Sequence, residues 1–264
     1  MHHQDSLPLP AQRLLMTELD YIFDLHLSGQ RQGPGSPEST RKALSFIDLD
    51  LQSKLQIADI GCGTGAQTFT LAQETQAAIV AVDFSETFLA ELNRRAKGLG
   101  YQDRIHTLQS TMEELPFESD QFDIIWAEGS IYNMGFQKGV NSWKHFLKPG
   151  GYLAVSELSW LQPKMPAAIE SYWTQHYPDI QLPSGKIKIL EEEGFQLCGY
   201  FPLPPTDWMD HYYLPIEERM PAFLERHHHH ETVQKIALQE AEELAHYQKY
   251  QDYYSYGFYV AQKV

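Results

Sequence analysis

The sequence predicts an α/β fold, a doubly wound, Rossmann-like sheet, and three observations carry that expectation. Short apolar runs alternate with helical patterns from about residue 56 to residue 156. The first run, Gln56-Ile57-Ala58-Asp59-Ile60, ends in a glycine loop that opens a helix. The intervening helices are long enough to bridge parallel neighbours by right-handed crossovers, which cover both faces of a sheet. At 264 residues the chain suits one large core, because a single core stops growing at roughly 250–300 residues. Hydrophobic residues at 42% and charged residues at 21% match ordinary globular usage and exclude a fibre or a disordered chain.

The elements follow in order. Residues 1–36 form an N-terminal helix and loop with the makings of a lid: apolar Leu14, Leu15, Leu19, Ile22 and Phe23 recur at helical spacing, and the breaker-rich stretch Ser28–Gly35 follows. Residues 37–264 form the main domain. Ser36, Pro37 and Glu38 read as an N-cap, a proline at the first helical position and an acid in the first turn, with Ala43, Leu44, Phe46 and Ile47 continuing the helix. After the first strand come a helix near 66–75, a strand at 78–83, a helix from Ser85 to about Lys97, and strands near 104–109 and 122–127. A helix with Val140, Trp143, Phe146 and Leu147 on one face leads through Lys148-Pro149-Gly150-Gly151 into the strand Tyr152–Ser156. Insertions near 158–182 and 203–251 interrupt the alternation, around a strand near 195–201 and before a last strand near 252–262. The stripe Val233, Ile236, Ala237, Ala241, Leu244 and Tyr247 in the second insertion reads as packing.

Charge and cysteine content narrow the function classes. Twenty Lys and Arg against 35 Asp and Glu give a net charge of −15, which opposes nucleic acid phosphates and anionic lipid, so neither nucleic acid nor membrane is expected as a partner. Cys62 and Cys198 lie far apart, which fits a reducing cytosol and a cytoplasmic location. The longest apolar run, Ala77–Val82, falls short of the roughly 20 residues of a membrane span, and the Leu7-Pro8-Leu9-Pro10 start does not resemble a signal peptide. His227–His230 invites a metal reading, but four consecutive imidazoles on regular backbone do not converge on one ion; no metal is expected there or at His2 and His3.

The loop Gly61-Cys62-Gly63-Thr64-Gly65 carries the chemistry. Glycines allow a tight turn and close approach of backbone to a ligand, and the free amides at the helix start offer donors. Gly61, Gly63 and Ala66 also satisfy the dinucleotide pattern, with Asp83 about 20 residues on as a ribose ligand. Asp59 favours a different nucleotide. An acid aimed into the loop repels a pyrophosphate and attracts the α-ammonium of an adenosyl amino acid.

On these residues the chain resembles the class I S-adenosylmethionine-dependent methyltransferases, and is similar to the ubiquinone/menaquinone-type small-molecule enzymes among them. The resemblance covers roughly residues 37–200 and also rests on Ala81-Val82-Asp83-Phe84-Ser85, Glu113-Glu114-Leu115-Pro116-Phe117, Phe122-Asp123-Ile124-Ile125 and Leu147–Leu153. It implies S-adenosylmethionine as cofactor. It implies that the loop, Gly61 through Gly65 with Cys62 and Thr64, lies along the methionine portion, that Asp83 binds both ribose hydroxyls, and that Phe84 flanks the adenine. It also implies seven strands in a mostly parallel sheet, the last one antiparallel and at the sheet edge. The family often carries Asp-Ala before Glu-x-Leu-Pro-Phe; here Thr111-Met112 stand beside Glu113, with the Thr111 hydroxyl and the Met112 amide left to meet the adenine.

The segment Trp126–Phe136 leaves the carboxyl end of the fourth strand, where open α/β sheets place reacting groups. Glu128 and Tyr132 are the candidate catalytic residues; the alternative is that Glu128 binds cofactor or orients the loop, and that Tyr132 and Phe136 wall the pocket. Glu157 is a further candidate. Arg31 and Gln32 either donate to the methionine carboxylate or belong to a solvated linker. The expected function is methyl transfer from S-adenosylmethionine to a small-molecule O, N, S or C acceptor, in a chain that could form a homodimer. The alternatives are a nicotinamide-dependent oxidoreductase and a non-catalytic module that binds an adenosyl ligand.

Overall fold

A computed structural model describes residues 16–264. Leu14 and Leu15 of the first helical pattern, the Leu7–Pro10 segment, and His2 and His3 lie outside the described residues. The first helix, α1 (Glu18–Leu27), starts at a capping box in which Thr17 and Asp20 satisfy each other's backbone amides. Ser36 caps α2 (Pro37–Leu44) by accepting from the Ser39 amide, with Pro37 in the first turn as expected.

The alternating part then runs β1 (Gln56–Ile60), α3 (Ala66–Glu74), β2 (Ala78–Asp83), α4 (Glu86–Leu99), β3 (Ile105–Gln109), β4 (Phe122–Glu128), α5 (Phe136–Trp143) and β5 (Leu147–Trp160). Ser85 caps α4 and Gly100 ends it in the left-handed region. The chain continues through α6 (Ala167–His176), α7 (Pro183–Glu192), β6 (Phe195–Pro202), the short α8 (Pro205–Trp208), a wide turn at Met209–Tyr213, α9 (Leu214–Arg226), α10 (Glu231–Tyr250) and β7 (Tyr254–Lys263).

The sheet has seven strands in the order β3-β2-β1-β4-β5-β7-β6, with β7 antiparallel to both its neighbours and the other pairs parallel. The order reverses between β1 and β4, so a crevice opens at the carboxyl ends of these two strands. One expectation is corrected: the last strand is antiparallel but does not form the edge. It lies between β5 and β6, and β6 takes the edge. The burial patterns explain the exchange, since β7 is almost wholly buried while β6 alternates with exposed positions that suit an edge. Pairing with β7 as far as Trp160–Tyr254 also prolongs β5 beyond the expected Ser156.

Two cores flank the sheet. Ile57, Ile124, Trp126 and Phe258 face α2, α3 and α4, while Ala58, Ile125, Val155 and Tyr259 face α5 and α7. The expected stripe of α10 packs through Val233, Ile236 and Tyr247, joining α9 and α1 in one cluster and the tyrosines around Trp208 in another. Phe23 of α1 meets Phe88 of α4 edge-on at 5.0 Å, so the N-terminal helix spans from the second insertion to the rim of the crevice. Among the described residues no helix is long and apolar enough to cross a membrane.

Candidate functional site

The crevice between β1 and β4 is a cleft walled by the glycine loop, the end of β2, the segment after β4 and the strap before α2. At its floor Gly61 and Gly63 hold φ of 77° and 54°, a region L-residues avoid, and the space a Cβ would need is already filled. At Gly61 that Cβ would stand 2.4 Å from Ser130 Cβ, and at Gly63 it would stand 2.2 Å from Gln32 Oε1. The amides of Gly61 and Cys62 both donate to the Val82 carbonyl, at 2.8 and 2.9 Å, which clamps the loop to the end of β2.

That clamp brings Asp83 beside the loop. Asp83 Oδ2 accepts from the Gly63 amide and Oδ1 from the Ser85 amide, each at 2.9 Å. Burial pushes its carboxyl above the ordinary value, and the amides of Ser85, Gly63 and Phe84 pull it back. A carboxylate offers about four lone-pair sites, so capacity remains for a hydroxyl donor in the cleft. Next to it Phe84 is 52% exposed, an apolar ring left open on the wall. Met112 and Ser110 line the cleft near this ring.

Several expected residues stand elsewhere. Asp59 does not point into the loop: it is fully buried behind the wall, accepting from Thr68 Oγ1 at 2.5 Å and Gln67 Nε2 at 3.2 Å. Helix α3 supplies both donors and draws the carboxyl away from the crevice. Burial, with Glu128 and Asp83 adding repulsion, raises Asp59 to about 7. Thr64 is also off the wall, its hydroxyl bonded to Gln32 and to Arg95 at 3.0 and 3.1 Å. Gly65 packs against Leu92 and Phe69, and Thr111 and Glu113 are exposed outside the cleft. Cys62 does line it, with its thiol held neutral by burial.

The strap lies on the loop. Gln32 Oε1 accepts from the Thr64 amide at 2.8 Å, and Arg31 Nη1 donates to Glu128 Oε2 at 2.8 Å. Glu128 also accepts on Oε1 from Thr40 Oγ1 at 2.7 Å and Trp126 Nε1 at 2.9 Å. Three donors hold this carboxylate in a site where it keeps 4% of its side-chain surface. Tyr132 stands at the cleft mouth, 43% exposed, and burial together with Glu157 and Glu243 moves its hydroxyl above the usual range. Glu157 lies on the α7 side of β5 with Lys186 Nζ 3.6 Å away, and burial raises it to about 7.

Sequence reasoning placed Ser130 and Asn133 in the candidate segment without giving either a role, and it missed Phe88; all three line the same cleft. Ser130 signals itself only once folded, when its hydroxyl bonds the Ile60 carbonyl at 2.7 Å. The histidine tract splits up: His227 Nε2 lies 2.7 Å from Asp24 Oδ2, and His230 Nδ1 accepts from the Thr232 amide at the start of α10.

Known proteins share this architecture. The family model of the methyltransferase domain matches residues 57–151, the stretch from β1 into β5. The chain is 31% identical over 111 residues to methyltransferase GfsG of Streptomyces halstedii, covering 42% of this chain and 40% of that one. It is 33% identical over 118 residues to demethylmenaquinone methyltransferase of Clavibacter sepedonicus, covering 44% of this chain and 46% of that one. The chain therefore spans less than half the length of these two curated relatives. The S-adenosylmethionine-dependent methyltransferase of Geobacter sulfurreducens, solved in complex with S-adenosyl-L-homocysteine, superposes with a TM-score of 0.81 over 92% of this chain and 98% of that one, at 17% identity. Residues 57–151 thus match a methyltransferase domain, and the chain shares its fold with an S-adenosylmethionine-dependent methyltransferase of known structure.

Proposed function

We propose that this protein transfers a methyl group from S-adenosylmethionine to a small-molecule acceptor and releases S-adenosylhomocysteine. The observation that carries this reading is Asp83 bonded to the Gly63 amide at 2.9 Å, which puts a carboxylate with spare lone pairs directly against a backbone turn. Such a pair suits a ribose at the carboxylate and an amino-acid tail along the turn, with Phe84 and Met112 against the adenine. A pyrophosphate is a poorer fit, because Asp83 and Glu128 both lie on the cleft wall and repel it.

When bound, S-adenosylmethionine supplies a methyl group already activated on a sulfonium. The task of the chain is then to align the acceptor and exclude water, and positioning alone can supply much of the acceleration. Arg31 and Gln32 close the strap over the loop. Glu128, with three donors on its two oxygens, serves to anchor that strap. Tyr132, whose hydroxyl is raised, stays neutral and orients an acceptor by hydrogen bonding.

The same reading makes the protein a cytoplasmic enzyme with a small-molecule partner and without nucleic acid or membrane partners, in keeping with its charge of −15. A homodimer is its proposed assembly. Calorimetry with S-adenosylhomocysteine, S-adenosylmethionine and NAD(P) tests the proposal. Binding of the sulfur ligands alone supports it, binding of the dinucleotide alone overturns it, and a labelled methyl group that reaches no acceptor in a broad metabolite panel leaves only a binding module.

A further inference from the structure

A second and larger groove, of about 1070 Å³, lies on the outer side of the strap. Residues 28–31 of the strap, one face of α3 (Ala66, Phe69, Thr70 and Gln73), the end of α4 and the start of α9 enclose it. Arg31 alone belongs to both walls, so the strap divides this groove from the cleft over the glycine loop. Four of the chain's eight arginines line the groove: Arg31, Arg94, Arg95 and Arg219. In a chain of net charge −15, cationic side chains are thus concentrated in one place.

Two of these guanidiniums meet at one backbone position. Arg95 Nη2, from α4, donates to the Gly29 carbonyl at 3.4 Å. Arg219, from α9, lies against Gly29 so closely that a Cβ there would stand 2.7 Å from its Nη1. Like charges brought together repel unless a counter-charge answers them. Glu128 answers Arg31 at 2.8 Å. Arg94 and Arg95 share a single carboxylate, Glu91, at 2.7 and 3.1 Å. Arg219 has no such partner: its Nε is buried without an acceptor, and Glu240, an acid that acts on it, makes its only ion-pair contact among the described residues with His26, at 3.9 Å. A half-buried charge without a partner is costly, and a buried donor without an acceptor calls for an explanation. Arg94, Arg95 and Arg219 therefore face the groove with one carboxylate among them, which leaves two positive charges unanswered. Asp210 and Glu218 also line the groove, but both are exposed and neither pairs with an arginine among the described residues, so water and salt screen them.

We propose that this groove is a second ligand site, for an organic phosphate monoester whose phosphate bridges Arg95 and Arg219 at Gly29. A phosphate monoester carries about −1.5 to −2 at neutral pH, which matches the two unanswered charges, and a guanidinium fork fits its oxygens two at a time. A carboxylate would answer only half of that charge. The groove is far larger than a phosphate alone needs, and Phe69, Leu99 and Pro215 supply apolar surface for the organic part. The site goes beyond the methyl-transfer reading and stands without it, because the strap separates the two ligands.

The test titrates four probes calorimetrically into the full chain: phenyl phosphate, benzoate, benzylamine and inorganic phosphate. Phenyl phosphate is expected to bind about tenfold more tightly than each of the others and to keep that affinity when S-adenosylhomocysteine fills the inner cleft. It should also slow amide exchange at residues 28–31, which locates it on the strap. Arg219→Gln should weaken phenyl phosphate about tenfold, and Arg219→Lys, which keeps the charge and loses the fork, should weaken it less. Glu218→Gln, which removes a repelling charge from the groove, should tighten it about twofold. Circular dichroism checks that each variant folds, and if Arg219→Gln does not, the ranking of the probes and the exchange at residues 28–31 in the parent protein decide. Benzoate, benzylamine or inorganic phosphate binding as tightly as phenyl phosphate overturns the proposal. So does a failure of phenyl phosphate to bind, its displacement by S-adenosylhomocysteine, unaltered exchange at residues 28–31, or a folded Arg219→Gln that binds it as the parent does.

Discussion

Arg31 Nη1 and Glu128 Oε2 lie 2.8 Å apart, and this contact ties the strap before α2 to the carboxyl end of β4. Both side chains are buried, at 7% and 4% exposure, so the pair is shielded from water and salt. Removing one member of a buried pair leaves the other charge uncompensated at a cost of roughly 3–5 kcal/mol. Thr40 and Trp126 still donate to Glu128, which moderates the loss. Arg31→Ala is expected to lower stability by about 2 kcal/mol and to weaken S-adenosylhomocysteine binding about tenfold. Urea unfolding and calorimetry measure the two effects, and faster amide exchange at residues 28–35 locates them on the strap.

Asp83 and Asp59 flank the same loop, but only Asp83 reaches the cleft. Asp83→Ala removes the acceptor for a hydroxyl donor, a charge-assisted bond being worth about 1.5–3 kcal/mol, so the cofactor should bind at least about tenfold more weakly. Asp59→Asn, turned toward Thr68 and Gln67, should change that affinity less than about threefold. A reversal of this order in calorimetry would overturn the placement of the two acids.

This contrast marks where the sequence was readable and where it was not. Local signals were sufficient for Ser36 and Ser85 as caps, for the strand Ala78–Asp83, and for the turn at Gly61 and Gly63, because capping, apolar runs and left-handed backbone depend on near neighbours. The direction of the Asp59 side chain was not readable, since donors eight and nine positions later compete with the loop for it. The position of β7 inside the sheet depends on how two strands far apart in the chain, β5 and β6, present their edges. Likewise the sequence leaves Glu128 open as a base, a cofactor ligand or a residue that orients the loop, and only folding brings Arg31, from 97 residues away, against it.

The pH dependence of stability should carry the signature of Asp59. Its folded value of about 7 lies above the unfolded 3.8, so the folded state binds the proton more strongly. The protonated carboxyl is accommodated at low pH, and stability falls as pH rises through this window and levels off above 7. Glu157 and Glu240, both raised from 4.5 to about 7 by burial, act in the same direction. His26 opposes them: burial lowers it from 6.5 to about 4, so its contribution is lost as pH falls through that range. Asp59→Asn removes one of these groups and leaves the rest. Between pH 5 and pH 8 the variant should gain about 2 kcal/mol relative to the parent, measured by urea unfolding at both values.

Gly63→Ala tests the contact between strap and loop. The backbone there has φ of 54°, where an L-residue costs about 1–2 kcal/mol. The new Cβ would also stand 2.2 Å from Gln32 Oε1. That oxygen is the end of a flexible side chain, so it moves, and in moving it loses its bond to the Thr64 amide. The variant should lose about 2 kcal/mol of stability and about tenfold in S-adenosylhomocysteine affinity. Gln32→Ala removes both the clash and the bond. If Gln32 packs on Gly63, the double variant should be no worse than Gly63→Ala alone, whereas effects that simply add would mean that the two residues do not meet.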